Sequence, residues 1–197
     1  MISPRVLLPL LLLVGACGTP PVAARSGDLS LTPTASAPPC PTSGVAVSAL
    51  ESEAASGLRV LTLKLLNCGT EPHSVTGYPD VRLLDADGQP LNVRVLNGPA
   101  SAEISALDSF AAEPAEVVLQ PGEHATSALL WRNTYDNTTE PPQVGARLDI
   151  APTAGTPRQT FIPRLPPNGD PNRVDAPAVT IDLGSTGRIG VAPWRTA

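Results

Sequence analysis

Prolines recur from one end of this chain to the other, twenty-four of them in 197 residues, alongside sixteen glycines. A proline inside a helix removes a hydrogen-bond donor and clashes with the preceding turn, so each one ends or kinks the helix it enters. Between these breakers no amphipathic helix of useful length fits. What fits is a series of short runs alternating apolar and polar residues, bounded by turn residues, which is the pattern of β-strands.

The runs are Val45–Leu50, Leu58–Leu66, Val81–Leu84, Leu91–Val95, Val117–Leu119, Ala125–Trp131, Arg147–Ile150, Thr160–Ile162, Val179–Leu183 and Arg188–Val191. In the second, Leu61, Leu63 and Leu65 form a wholly apolar face of the kind a sandwich strand turns inward. Asp85-Ala86-Asp87-Gly88-Gln89-Pro90 reads as the hairpin turn between two of these strands, and Gln120-Pro121-Gly122-Glu123 as another turn. A short helix is expected only within Ala100–Ala115. The expected fold is all-β: an antiparallel, Ig-like β-sandwich of eight to ten strands. Aromatic residues make up only 3% of the chain, so its core must be built mainly from Val, Leu, Ile and Ala. Two long stretches outside the strands, 97–116 and 163–177, are where a binding surface is sought first, because loops on a rigid scaffold usually carry recognition. The alternative for each is a solvated connection without function.

The N-terminus has a different grammar. Arg5, an apolar run from Val6 to Val14 and the small residues Gly15-Ala16 form the layout of a secretory signal peptide over residues 1–16. As a helix the run would reach about 14 Å, short of the roughly 30 Å hydrocarbon core of a bilayer. Val14-Gly15-Ala16-Cys17 looks like a bacterial lipobox, in which the cysteine thiolate accepts a diacylglyceryl group. Two acyl chains on one residue suffice for stable anchoring. The expectation is cleavage before Cys17 and attachment to the extracytoplasmic face of the cell membrane. Residues 17–39 then make a Pro/Ser/Thr/Ala linker without apolar period, of about 25 Å root-mean-square reach, and 40–197 the folded domain.

With Cys17 assigned to lipid, Cys40 and Cys68 remain as a pair in an oxidising compartment. A bridge between them closes a loop worth about 3.5 kcal/mol on the chain-entropy estimate. The alternatives are two buried free thiols or a two-cysteine metal site, and no CxxC or His/Cys cluster favours the metal.

Residues arranged for chemistry are few in this sequence. His73 and His124 are the only histidines and are expected in exposed turns. There is no HExxH, no Gly-x-Ser-x-Gly and no phosphate-binding glycine loop. Asp85-x-Asp87-Gly88 begins like a calcium loop, but Leu96 stands where the twelfth-position carboxylate belongs. Glu51/Glu53 and Glu113/Glu116 read as solvated faces. No catalytic residue, metal or cofactor is indicated. A formal charge of −5 with scattered arginines disfavours nucleic acid as a partner.

Asn67-Cys68-Gly69-Thr70-Glu71-Pro72, followed by Gly77-Tyr78-Pro79-Asp80-Val81-Arg82-Leu83-Leu84, resembles a widespread family of actinobacterial secreted domains of unknown function (domain-of-unknown-function family 4232). Pro121-Gly122 before the Trp131 strand and the ending Leu183-Gly184-Ser185-Thr186-Gly187-Arg188 fit the same pattern, so that the resemblance runs from about Cys40 to Trp194. It implies a secreted or lipid-anchored β-sandwich and no known activity. Many members place the second cysteine nearer Gly-Tyr-Pro, close to where His73 stands here. Gly77, Tyr78 and Pro79 are read as a structural motif: a glycine with an unusual backbone, a tyrosine burying its ring and tying its hydroxyl to backbone, and a proline fixing the turn. The functional expectation is an envelope-anchored, non-enzymatic binding domain whose partner is an envelope protein or glycan. The alternatives are an envelope hydrolase built around His73 or His124, and a purely structural or antigenic surface protein.

Overall fold

The computed structural model describes residues 39–137, 139, 141–165 and 176–197. The signal peptide, Cys17, nearly all of the linker and the middle of the 163–177 stretch lie outside the described residues.

Thirteen strands are present among them: β1 Val45–Ala55, β2 Leu58–Asn67, β3 His73–Val75, β4 Asp80–Leu84, β5 Arg94–Asn97, β6 Val117–Leu119, β7 His124–Arg132, β8 Val144–Gly145, β9 Arg147–Ala151, β10 Gln159–Phe161, β11 Ile181–Asp182, β12 Arg188–Val191 and β13 Arg195–Thr196. A 3-10 turn at Gly98–Glu103 and one α-turn, α1, at Asp108–Ala111 fall within the stretch where a short helix was expected. The large sheet runs β1-β2-β7-β12-β5, with β13 also on β7. A three-stranded sheet, β10-β9-β4, and the pairs β11-β8 and β3-β6 complete the fold.

The alternation read in β2 decides the packing. Leu61, Leu63 and Leu65 are wholly buried. They join Ala125, Leu129 and Trp131 of β7 and Ile189 and Val191 of β12 in one core with Val81 and Leu83 of β4 and Leu148 and Ile150 of β9. Two sheets facing each other through period-2 side chains make a sandwich, and the all-β expectation holds.

It was not antiparallel throughout. β5 runs parallel to β12, with Arg94 beside Arg188 and Asn97 beside Val191. The expected hairpin turn does form: the Asp85 carboxylate accepts the N–H groups of Asp87 and Gln89, at 2.9 and 2.8 Å. Pairing with β4 then stops after Pro90 and Leu91, where the Leu91 N–H donates to the Leu83 carbonyl. Beyond it the chain crosses to the other sheet, so β5 begins at Arg94 and not at Leu91.

The 97–116 stretch is no free loop. Phe110, Ile104 and Leu107 pack on Leu58 and Val60 of β2 and on Ala128 and Leu130 of β7, a second small core on the outer face of the large sheet. This cover explains why β7 is buried on both faces from Ser127 to Trp131.

Candidate functional site

The Gly-Tyr-Pro segment is held from behind by the end of the chain. Trp194, 1% exposed, donates its backbone N–H to the Gly77 carbonyl at 2.9 Å and its indole N–H to the Pro152 carbonyl at 2.6 Å. Gly77 has φ +95°, a conformation that residues with a Cβ rarely adopt. Tyr78 lays its ring against the core. Its hydroxyl lies over Gly98 and bonds to no described backbone group. A Cβ built on Gly98 would stand 2.3 Å from that oxygen, so only glycine allows the approach.

Asp80, opening β4, is fixed by Arg158. The guanidinium pairs with Asp80 Oδ2 and with Asp149 Oδ2 of β9, both at 2.7 Å. It also donates to the Asp80 and Asp149 carbonyls. One arginine thus ties two neighbouring strands by side chain and backbone together, with donors of its planar fork directed at two carboxylates and two carbonyls, an arrangement that lysine could not reproduce.

Where the edge strands β4 and β5 meet lies an open cavity of about 470 Å³, lined by Thr76, Tyr78, Asp80, Val95, Asn97 and Thr153. It offers one phenol ring, one carboxylate held in place, one amide and two hydroxyls. Neither histidine lines it.

The histidines open strands and do not sit in turns. His73 pairs with Leu119 across β3–β6, and His124 with Leu66 across β7–β2. Both are half-buried. Among the described residues no carboxylate bonds to either, and no group of three or more His, Cys, Asp and Glu could hold a metal ion. Glu51, Glu53, Glu113 and Glu116 are exposed.

Cys40 and Cys68 form a disulfide with Cα atoms 5.6 Å apart. Around it, the Gly44 carbonyl accepts the N–H groups of both Cys68 and Gly69. Asn67, 1% exposed, donates from its amide to the Glu71 and Leu119 carbonyls, each at 2.8 Å, and accepts the Gly69 N–H at 3.0 Å. The stem of the other long stretch is closed by a bridge between Arg164 and Ala178. No helix among the described residues is long and apolar enough to cross a membrane.

Sequence reasoning passed over several of these residues. Arg158 sits in a Thr/Gly/Pro stretch and shows no pattern. Trp194 carries a signal that could have been used, as one of only two tryptophans in a chain poor in aromatics. No curated protein and no solved structure matches the chain. A family model described as a domain of unknown function (DUF4232) matches residues 40–195, the span that holds the disulfide, the Gly-Tyr-Pro segment and Trp194, and the chain belongs to that family.

Proposed function

We propose that the chain is an exported lipoprotein, anchored through Cys17 at the extracytoplasmic face of the cell membrane, whose β-sandwich is a non-enzymatic binding domain for an envelope glycan. The observation that carries the binding reading is the cavity beside Tyr78. Its volume of about 470 Å³ suits one or two sugar rings. A ring face such as that of Tyr78 packs on the C–H face of a sugar, while a carboxylate and an amide exchange paired hydrogen bonds with neighbouring hydroxyls. Asp80 is already held by Arg158, so little ordering is left for binding. The lipobox and the Pro/Ser/Thr/Ala linker support the anchor.

The test is co-sedimentation of the protein with insoluble cell-wall glycan. Asn97→Ala and Thr153→Ala should each reduce retention several-fold without lowering the unfolding midpoint. Retention unchanged in both variants would refute the cavity as the site, and retention by a protein-rich envelope fraction alone would redirect the reading to a protein partner. Palmitate labelling of cells, lost in Cys17→Ala, tests the anchor.

A further inference from the structure

Three arginines fall in one row across three adjacent strands. The parallel register of β12 with β5 sets Arg188 beside Arg94. Continuing the β12–β7 register two residues past the Gly190–Leu130 pair sets Arg188 opposite Arg132. Residues in register on neighbouring strands share a face, so all three guanidinium groups rise from the same side of the sheet. Like charges in such a row repel, and each needs an acceptor.

Their partners differ. Arg94 is paired with Glu103. Arg132 is oriented by backbone alone, donating from Nε to the Ile104 carbonyl at 3.0 Å and from Nη1 to the Ser56 carbonyl at 3.4 Å. Among the described residues neither Arg132 nor Arg188 has a carboxylate partner, and the Arg188 guanidinium donates no hydrogen bond. Both line a cavity of about 170 Å³ together with Thr134, Thr186, Glu103 and Asp136. Glu103 is engaged by Arg94, and the Asp136 carboxylate accepts the Ser185 hydroxyl at 2.8 Å. The lining itself holds two arginines and two carboxylates, and Arg94 offsets Glu103 from outside it, so among the described residues Arg132 and Arg188 face one carboxylate not paired with an arginine, Asp136.

We infer that this cavity is an oxyanion site, in which a phosphate, sulfate or carboxylate group of a ligand seats between Arg132 and Arg188. The guanidinium fork presents parallel N–H donors that match two oxygens of such a group, and charge-assisted bonds of this kind are the strong ones. The backbone contacts of Arg132 leave Nη2 free to donate. Thr134 adds a hydroxyl donor at the wall, whereas the Thr186 hydroxyl already donates to the Leu183 carbonyl at 2.8 Å. The volume fits one charged group with a few attached atoms and not a whole sugar ring. Asp136 opposes the anion and sets a ceiling on its affinity. The site shares no lining residue with the Tyr78 cavity, so it stands or falls independently of the glycan reading.

The experiment titrates the full-length protein with inorganic phosphate, sulfate and acetate at constant ionic strength and pH 7, reading the arginine Nε–H resonances by NMR and the unfolding midpoint in parallel. The expected result is saturable movement of the Arg132 and Arg188 resonances, and a midpoint that rises and then levels, as a ligand binding only the folded state requires. Saturation by phosphate and sulfate alone assigns a tetrahedral group. Saturation by acetate assigns a carboxylate. Arg188→Gln should weaken binding at least tenfold, and Asp136→Asn, which removes the opposing charge, should tighten it several-fold. Should Arg188→Gln fail to fold, Asp136→Asn carries the comparison. A midpoint that climbs linearly without saturation, as excluded salts produce on any protein, or an affinity unchanged in the folded variants, overturns the assignment.

Discussion

Replacing Asn67 with alanine tests how the disulfide end of the sandwich is held. The side chain makes three hydrogen bonds, two as donor to the Glu71 and Leu119 carbonyls and one as acceptor from the Gly69 N–H. Each is worth about 1 kcal/mol net. Glu71 is exposed and water can take its bond over, whereas the bond to Leu119 is buried and the abandoned carbonyl there adds about 1 kcal/mol of desolvation. The expected loss is about 3 kcal/mol, a large share of the roughly 5–15 kcal/mol that holds a domain folded. Asn67→Asp should cost more than Asn67→Ala, because an acceptor-only carboxylate would face two carbonyl oxygens. The disulfide organises the same turn through Cys68, so the two are coupled. In a Cys40→Ala/Cys68→Ala background the alanine substitution should cost at least 0.5 kcal/mol less, the lower end of couplings between touching residues. The assay is urea unfolding followed by the fluorescence of Trp131 and Trp194, both in the core. A loss under about 1 kcal/mol, or strict additivity with the disulfide, would refute this account.

Three further outcomes are expected. Gln159→Leu removes an amide that accepts the Val47 N–H and donates to the Val45 carbonyl, both at 3.0 Å. It should cost about 1–2 kcal/mol and, by baring that part of edge strand β1, cause concentration-dependent association in sedimentation velocity; a monomer of unchanged stability would refute it. Phe110→Ala should cost about 3 kcal/mol and raise binding of a hydrophobic dye, because the cover over Val60 and Leu130 loses its largest side chain; an exposed-loop role for 97–116 predicts neither change. Tyr135 donates its hydroxyl to Asp182 at 2.6 Å, and that hydrogen bond is the main cause of a pKa raised above the ordinary 10.0. The interaction stabilises the fold below pH 10 and is lost as pH rises through the raised value; absorbance titration should show one tyrosine ionising late, and Asp182→Asn should bring it earlier.

What was legible in the sequence was local. The alternation in Leu58–Leu66 gave a strand and its buried face, and the Asp85–Pro90 turn formed as its residues require. The pairing of Cys40 with Cys68 could be reached by counting. What escaped depends on partners distant in the chain. Gln159 satisfies a strand 112 residues away with a side-chain amide, which no periodicity records. The parallel pairing of β5 was hidden because Leu91–Val95 alternates as a hairpin partner would. The 97–116 stretch looked like an open loop for its Ser, Ala and Pro. Yet Ile104, Leu107 and Phe110 recur every third residue, and that spacing was the available sign of a segment packing one side onto the sheet.

The departure of β5 from the hairpin lines the Tyr78 cavity directly and touches the Arg132–Arg188 cavity only through the pairing of Arg94 with Glu103. Successive residues of a strand point to opposite faces. Arg94 and Leu96 therefore turn to the outer side, where Arg94 meets Glu103 and Leu96 is buried. Val95 and Asn97 turn to the side of the Tyr78 cavity. Had Arg94–Asn97 continued antiparallel along β4, these residues would belong to the other sheet, and Arg94 could not stand in register with Arg188. The 3-10 turn that begins at Gly98, directly after β5, brings Glu103 back over the row and places Gly98 under the Tyr78 hydroxyl. The cover packs Ile104, Leu107 and Phe110 onto Val60, Ala128 and Leu130, and its Glu103 and Ile104 form part of the wall of the Arg132–Arg188 cavity. Moving β5 to the edge of the large sheet thus places Val95 and Asn97 in the wall of the Tyr78 cavity and turns Arg94 to the opposite side, where it pairs with Glu103 of the other cavity's wall. The glycan reading and the anion reading are separate predictions, since the two cavities share no lining residue, and loss of one in a variant should leave the other unchanged.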